Sequence, residues 1–447
     1  MNKDNAKEFA KRERTRKLRR FIEANMMTLA WAISLILFFV ILANVLRTGA
    51  GAGGLAFAFC YLAAALIAFV LSVRMKAGIT RRGEVSLPVR RAALLLIPFA
   101  FTGNFFAAIA GFAAAKKEKT LEYMMACYAF LITILIMLVS ALNLFKEQAS
   151  PFFWPGMGML ALLALFYGIV IALVCVFTPA RGTYRKLFIP GALCLAGGIT
   201  GNLFAAVLGL VIFSRIRSAG KKQQAEWIDV IRRVFRNYMS VIGLFIVVFL
   251  LSLSICSFLT FDYAVATDNS YSTLKLRPSL MYPFGTDEFG RCIFTRIVFG
   301  ARISLVIGFI ATAVPFLAGG LLGAVAGHFS SVLDNVVMRL LDILYAVPSI
   351  LLAFAIVAAF GANTFNLIVA LSVGAIPAYA RTMRAQVMVV TSSEFVEAAR
   401  ACGQNEFLIL FKHIVPNALA PMIVRATLTI GSAVLSTSSL SFLGLGV

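Results

Sequence analysis

The sequence predicts an all-α polytopic membrane protein, on three observations. Of its 447 residues, 61% are hydrophobic and only 13% charged, whereas soluble domains run nearer half apolar and a quarter charged. Mean hydropathy is +0.92, and apolar stretches of about twenty residues recur, each long enough to cross a bilayer as a helix. The basic residues, 41 Lys+Arg against 19 Asp+Glu, sit in short segments flanking those stretches, as positive-inside loops require. That placement accounts for the net charge of +22 without nucleic acid as a partner. Two histidines and 19 acidic residues leave little material for a metal site or acid–base chemistry. No catalytic residue, metal ligand or cofactor is expected.

The spanning segments read as 26–46, 54–73, 122–145, 156–178, 240–258, 303–327, 335–360, 364–382 and 419–442. A basic arm (Lys11, Arg12, Arg14, Arg16, Lys17, Arg19, Arg20) precedes the first and reads as an anchor on the lipid bilayer, with the N-terminus cytoplasmic. The first run is too long for a signal peptide and lacks a small-residue cleavage site. The cysteines (60, 127, 175, 194, 256, 292 and 402) form no CxxC pair and read as small hydrophobes.

Two further apolar stretches, about 92–115 and 188–213, carry positive charge at both ends. Arg90 and Arg91 precede the first, and Lys116, Lys117 and Lys119 follow it. Arg185 and Lys186 precede the second, and Arg215 and Arg217 follow. They also resemble each other: residues 102–111 read TGNFFAAIAG and 200–209 read TGNLFAAVLG. Upstream, Gly51-x-Gly53-x-Leu55-Ala56 matches Gly156-x-Gly158-x-Leu160-Ala161. Residues 1–220 are therefore a membrane extension with an internal duplication. Were both stretches to cross, Lys116, Lys117, Lys119, Arg181, Arg185 and Lys186 would face outside; if both re-enter, only Arg47 and Lys146 do. The positive-inside rule thus predicts broken helices that begin and end on the cytoplasmic side. Their small residues read as packing surfaces rather than a transport site. The basic segment 214–237 reads as a cytoplasmic linker helix with Trp227 as an interfacial anchor.

The specific signals lie in the second half. From Glu394 to Pro416 the chain reads EFVEAARACGQNEFLILFKHIVP. Phe395, Ala398, Ala399 and Cys402 fall at i, i+3, i+4 and i+7 and make one small apolar face. Glu394, Glu397 and Arg400 take the other side. Gly403 can adopt the left-handed conformation that stops a helix, and Pro416 should block extension of a second short helix. The expected result is helix, tight turn, helix, projecting on the basic side and narrow enough to dock into another protein's cleft.

The Glu397-Ala398-Ala399, Gly403 and Val415-Pro416 pattern resembles the EAA loop of permease subunits in binding-protein-dependent ABC importers, with Val415 where leucine is usual. Residues 284–305, FGTDEFGRCIFTRIVFGARISL, resemble the signature of the C-type permease of dipeptide, oligopeptide and nickel importers. The matching positions are Gly285, Thr286, Asp287, Gly290, Arg291, Arg296, Gly300 and Arg302, with Cys292 where aspartate is usual and Thr295 for serine. Thr286 or Asp287 is expected to cap a helix after the Pro283 turn. That helix should turn Ile293, Phe294, Ile297 and Val298 one way and Arg291 and Thr295 another. Asp334, Arg339, Asp342 and Pro348 are similar to the family's D…MR…D…P pattern, and Arg339 and Asp342, at i and i+3, are expected to pair. SLSFLGLGV at 439–447 also looks like the family.

The resemblance covers about 225–447 and assigns residues 221–447 to an ABC-importer transmembrane helical bundle, expected to lack its last helix. It implies ATPase coupling through Glu394, Phe395, Glu397, Ala398, Ala399, Cys402, Gly403 and Pro416. It also implies a second permease subunit, two ATP-binding cassette ATPase subunits that bind the ATP, and an extracytoplasmic solute-binding protein. The setting is a bacterial or archaeal plasma (inner) membrane. No GxxxxGK[ST] loop is present to cradle phosphates, so ATP hydrolysis belongs to the partners. Di- or oligopeptides are the expected substrate; nickel-type or other small solutes are the alternative, and no residue can be named as a substrate contact. A secondary transporter would need ionisable groups in the spans of the first half, which has almost none. A membrane scaffold or regulator that has lost transport is the remaining class.

Overall fold

The computed structural model describes residues 26–46, 52–82, 85–115, 120–146, 150–177, 186–217, 226–235, 237–279 and 281–444. The basic arm at 11–20, Arg47, Gly51, Lys116, Lys117, Lys119, Arg181, Arg185 and the side chain of Trp227 lie outside them. Among the described residues the chain is helical, with a single isolated bridge between Thr286 and Cys292. Among the described residues eight helices are long and apolar enough to cross a membrane: Met26–Leu46, Ala52–Ile79, Leu121–Leu144, Phe153–Phe177, Ser240–Thr260, Ile293–His328, Thr364–Thr391 and Glu406–Phe442. Several run past the hydropathy windows, because helices continue into polar territory where the lipid signal stops.

The expected span at 335–360 is broken near its middle. It is two helices, Ser331–Ala346 and Ser349–Phe360, bent by 84°. Pro348 has no N–H to donate and pushes Val347 out of the helical region, to φ −81 and ψ 124. Hydropathy averages across such a break and misses it.

Packing divides the chain into two compact units, Met1–Phe299 and Gly300–Val447. The division falls within the helix Ile293–His328. In the first unit one apolar core joins Tyr128, Leu131 and Tyr167 of the extension to Ile228, Val241 and Phe245 beyond it. Phe245 stacks on Phe105 at 5.3 Å. The linker segment contains the helix Glu226–Val234, whose Ile228 is buried in this core.

Each TGN stretch is a helical hairpin. In the first, Leu87–Ala93 and the 3-10 turns Leu94–Thr102 lead to Gly103, and the chain returns as Phe105–Ala115. In the second, Phe188–Gly197 and Gly198–Thr200 lead to Gly201, and the return is Leu203–Arg217. Gly103 and Gly201 sit at φ +82 and +80, where a side chain would be strained. The Thr102 and Thr200 hydroxyls donate to the carbonyls of Phe99 and Gly197 at 2.8 and 2.7 Å. Asn104 and Asn202 each accept from the N–H three residues on, at 3.2 and 3.4 Å, and so cap the returning helix. Their amides also reach a neighbouring span, Ser34 Oγ at 2.8 Å and the Ala129 carbonyl at 3.0 Å. The tripeptide is thus a stop, a reversal and a cap.

Small residues close the arms. A side chain at Gly111 would strike the Ala93 carbonyl, and one at Gly209 the Gly191 carbonyl. At the open end Arg90 donates to the Ala114 carbonyl at 3.1 Å. The span ends require the same path. Asn143, at the end of Leu121–Leu144, donates to the Thr260 carbonyl at 2.8 Å, and Gly156, near the start of Phe153–Phe177, packs on Leu259 and Thr260. Phe177 and Tyr238 therefore lie at the opposite end, and the chain between them returns to the side it left.

Candidate functional site

The helix Glu394–Ala401 is two turns long and ends as its sequence dictates. Gly403 takes φ +75, its N–H donates to Arg400 at 2.9 Å and that of Gln404 to Ala399 at 3.3 Å, the paired bonds of a Schellman stop. The anticipated apolar face at 395, 398, 399 and 402 divides. Ala399 turns inward with Val396 and packs with Ile409, Leu410 and Ile414. Glu394, Phe395, Glu397, Ala398, Cys402 and Gly403 remain exposed. A helix this short is held by one i, i+3 stripe, which leaves the neighbouring positions outward.

Asn405 accepts from the Phe407 N–H at 3.0 Å and starts the next helix. Pro416 does not end it. A π turn, Leu410–Ile414, lies just before, and the chain runs helically from Glu406 to Phe442. The wider turn accommodates the proline ring and its missing N–H. Phe407, Leu408 and Phe411 are exposed beside the short helix, with the two rings 4.6 Å apart. The sequence reading missed this patch, which FLILF at 407–411 signals as apolar residues in an otherwise polar rim.

Polar side-chain contacts brace the segment. Arg400 Nε is 2.7 Å from Glu406 Oε1, and Glu406 Oε2 is 2.8 Å from Nε2 of His328, whose side chain is 1% exposed. Arg384 grips Asp334 with two bonds of 2.5 Å. Asp342 pairs with Arg381 at 2.5 Å, not with Arg339 as the i, i+3 spacing suggested. Arg381 comes from a helix running alongside and also lies over Tyr345, 4.2 Å from the ring centroid.

The signature residues build a folded loop between two spans rather than a helix cap. The helix begins only at Ile293, so neither Thr286 nor Asp287 caps it. Asp287 instead accepts from the N–H groups of Phe289 and Arg291, both at 2.9 Å. Its second oxygen takes Arg291 Nε at 2.9 Å and Arg296 Nη1 at 2.5 Å. Arg291 thus has its charged partner without an aspartate at 292. Partial burial pushes the Asp287 carboxyl up, but the two N–H donors and the Arg291 guanidinium outweigh it and hold it below the usual range. Thr286 is buried and bridges the Leu276 N–H, at 2.8 Å, and the Thr273 carbonyl. Gly285 and Gly290 take φ +75 and +79 where a side chain would strike the carbonyls of Leu276 and Ser270. Thr295 is buried and receives Lys146 Nζ of the extension at 2.6 Å. Gly300 and Arg302 lie within the first turns of the helix Ile293–His328, past the packing division.

Because the folded-state carboxyl is depressed, its contribution is present above the unfolded value and lost as pH falls through the folded one. Asp287→Asn should loosen the loop by about 1 kcal/mol, since both ion pairs are partly exposed. The check is faster proteolysis between 262 and 292 in membranes at neutral pH.

Comparison with known proteins decides the family. Residues 319–447 match the binding-protein-dependent transport system inner membrane component, and residues 226–278 the N-terminal TM domain of oligopeptide transport permease C. A dipeptide transport system permease protein of Alkalihalophilus pseudofirmus is 40% identical over 222 residues, 50% of this chain and 73% of that one. The chain belongs to the binding-protein-dependent permease family. A glutathione transport system permease protein of Pectobacterium atrosepticum is 35% identical over 226 residues, covering 51% of this chain and 75% of its own length. A dipeptide permease of Bacillus subtilis is 37% identical over 219 residues, 49% of this chain and 68% of its own. The stretch matched at 319–447 contains the bent helix pair and the Glu394–Pro416 segment, the signature loop lies between the two matched stretches, and the duplicated extension precedes both.

Proposed function

We propose that this permease carries di- or oligopeptides across a prokaryotic plasma membrane, as one of two permease subunits driven by two partner ATPases and supplied by an extracytoplasmic binding protein. The observation that carries the ATPase assignment is the exposed two-turn helix Glu394–Ala401 with its glycine stop, beside the exposed Phe407, Leu408 and Phe411. Its outer face is small at Ala398 and Cys402 and acidic at Glu394 and Glu397, a shape suited to a cleft on another protein. Closure of the ATPases on ATP would push this helix, and the braces Arg400–Glu406–His328 and Arg384–Asp334 would pass the motion to four helices, Ile293–His328, Ser331–Ala346, Thr364–Thr391 and Glu406–Phe442, a two-state rearrangement biased by nucleotide. Peptide as cargo rests on the relatives, whose names specify dipeptide and glutathione transport.

Purification of the chain from native membranes tests the reading. The expected result is co-purification of two ATPase subunits and a second permease, with peptide uptake by vesicles only when the binding protein is added. Recovery of the chain without an ATPase would favour a scaffold and overturn the transport reading.

A further inference from the structure

Three arginines near the coupling segment each have a carboxylate: Arg381 has Asp342, Arg384 has Asp334 and Arg400 has Glu406. Arg425 breaks the pattern. It is exposed and lies well inside the helix Val415–Phe442, part of a segment apolar enough to cross a membrane. Its Nη1 donates to Thr382 Oγ1 at 3.1 Å, and its guanidinium lies 5.7 Å from the centroid of the buried Tyr379 ring. Among the described residues it has no carboxylate within ion-pair distance. A cation in a span without a counter-charge is costly unless it faces water or an anion.

The same helix face continues the polar theme. Thr429, Ser432, Ser436 and Ser439 follow Arg425 at i+4, i+7, i+11 and i+14, one stripe of about 21 Å at the helical rise. The hydroxyls of Thr429, Ser432 and Ser439 donate to carbonyls of their own helix at 2.9 to 3.1 Å, so these three offer acceptors to water with their donors already engaged. Gly431, beside it, has open space over its Cα. Lipid gains nothing from such a face, whereas a wet passage does.

We infer that Arg425 is a substrate contact in the translocation passage, receiving the C-terminal carboxylate of the transported peptide. Thr382 and Tyr379 hold the guanidinium so that its free edge can form the paired N–H bonds a carboxylate accepts. The inference rests on the peptide reading above and deepens it by naming the group recognised.

The test uses the complete importer in proteoliposomes, with dialanine and its C-terminal amide as the two probes. Initial uptake rates are measured for the wild-type, Arg425→Gln and Arg425→Lys proteins. The binding protein is the same in every assay, so its own preference cancels when the acid-to-amide ratio of each variant is divided by that of the wild type. Arg425→Gln is expected to lower that ratio about tenfold or more, the worth of a charge-assisted contact, while Arg425→Lys retains part of it. Uptake that falls equally for both probes, or an unchanged ratio, overturns the assignment while leaving the peptide reading intact. Loss of the second permease from the purified Arg425→Gln complex would mean that Arg425 meets a subunit carboxylate instead, and would also overturn it. Failure of the wild-type importer to move either probe would overturn the peptide reading, and the assignment with it.

Discussion

Replacing Gly403 by valine is expected to leave membrane insertion intact and to reduce substrate-stimulated ATP hydrolysis by tenfold or more. Nothing lies within 4 Å of the position a side chain would take at Gly403, so the cost comes from the backbone. A β-branched residue at φ +75 is strained by about 1–3 kcal/mol, enough to open the two bonds that close the helix end. The Arg400–Glu406 pair spans that turn and would lose its geometry with it. Each 1.4 kcal/mol lost from the competent state is about tenfold in its population. Gly403→Asn should be milder, because asparagine tolerates the left-handed region. Ala398→Trp tests the same surface from outside: Ala398 is exposed, so a bulky side chain there leaves the fold alone and obstructs only docking. Undiminished substrate-driven hydrolysis in reconstituted Gly403→Val importer would show that this turn does not couple the ATPase.

What the sequence disclosed of this site, and what it withheld, follows from the range of the interactions. The stop at Gly403 was legible because one residue's backbone freedom decides it. The reversals at Gly103 and Gly201 were legible through repetition and charge, since six basic residues would otherwise face outside. The inward turn of Ala399 was not, because a small residue fits either side of a two-turn helix and only the core of Ile409, Leu410 and Ile414 chooses. The i, i+3 pairing of Arg339 with Asp342 failed for a related reason: Arg381 of the neighbouring helix reaches Asp342, and spacing along one helix says nothing about what the next one brings. Lys146 and Thr295 lie far apart in sequence and meet only because Asn143 and Gly156 press the extension onto the Thr260 end of Ser240–Thr260. The break at Pro348 was in plain view as a proline, yet an apolar average ran through it.

Cysteines introduced at positions 118 and 183 are expected to resist an impermeant thiol reagent in intact cells and to label fully once the cells are opened. Both positions lie outside the described residues, next to the two hairpins. The returning arm Phe105–Ala115 has 11 residues, about 16 Å of helix against the roughly 30 Å of a hydrocarbon core. It cannot cross, and Arg90 bound to the Ala114 carbonyl fixes both arms at one end. The second hairpin is constrained twice: by Gly209 packed on Gly191, and by the span ends that place Phe177 and Tyr238 on a common side. Arg215, in the last turn of its returning arm, pairs at 3.1 Å with Glu122 at the start of Leu121–Leu144, so the arm ends level with the start of that span. We propose that this side is cytoplasmic, because the described residues Arg90, Arg91, Lys186, Arg215 and Arg217 sit at the open ends of the two hairpins, as the positive-inside rule requires. Rapid labelling of both cysteines in intact cells would invert that assignment. Labelling of one alone would require a hairpin to cross, against the arm lengths and the packing that closes each arm on its partner.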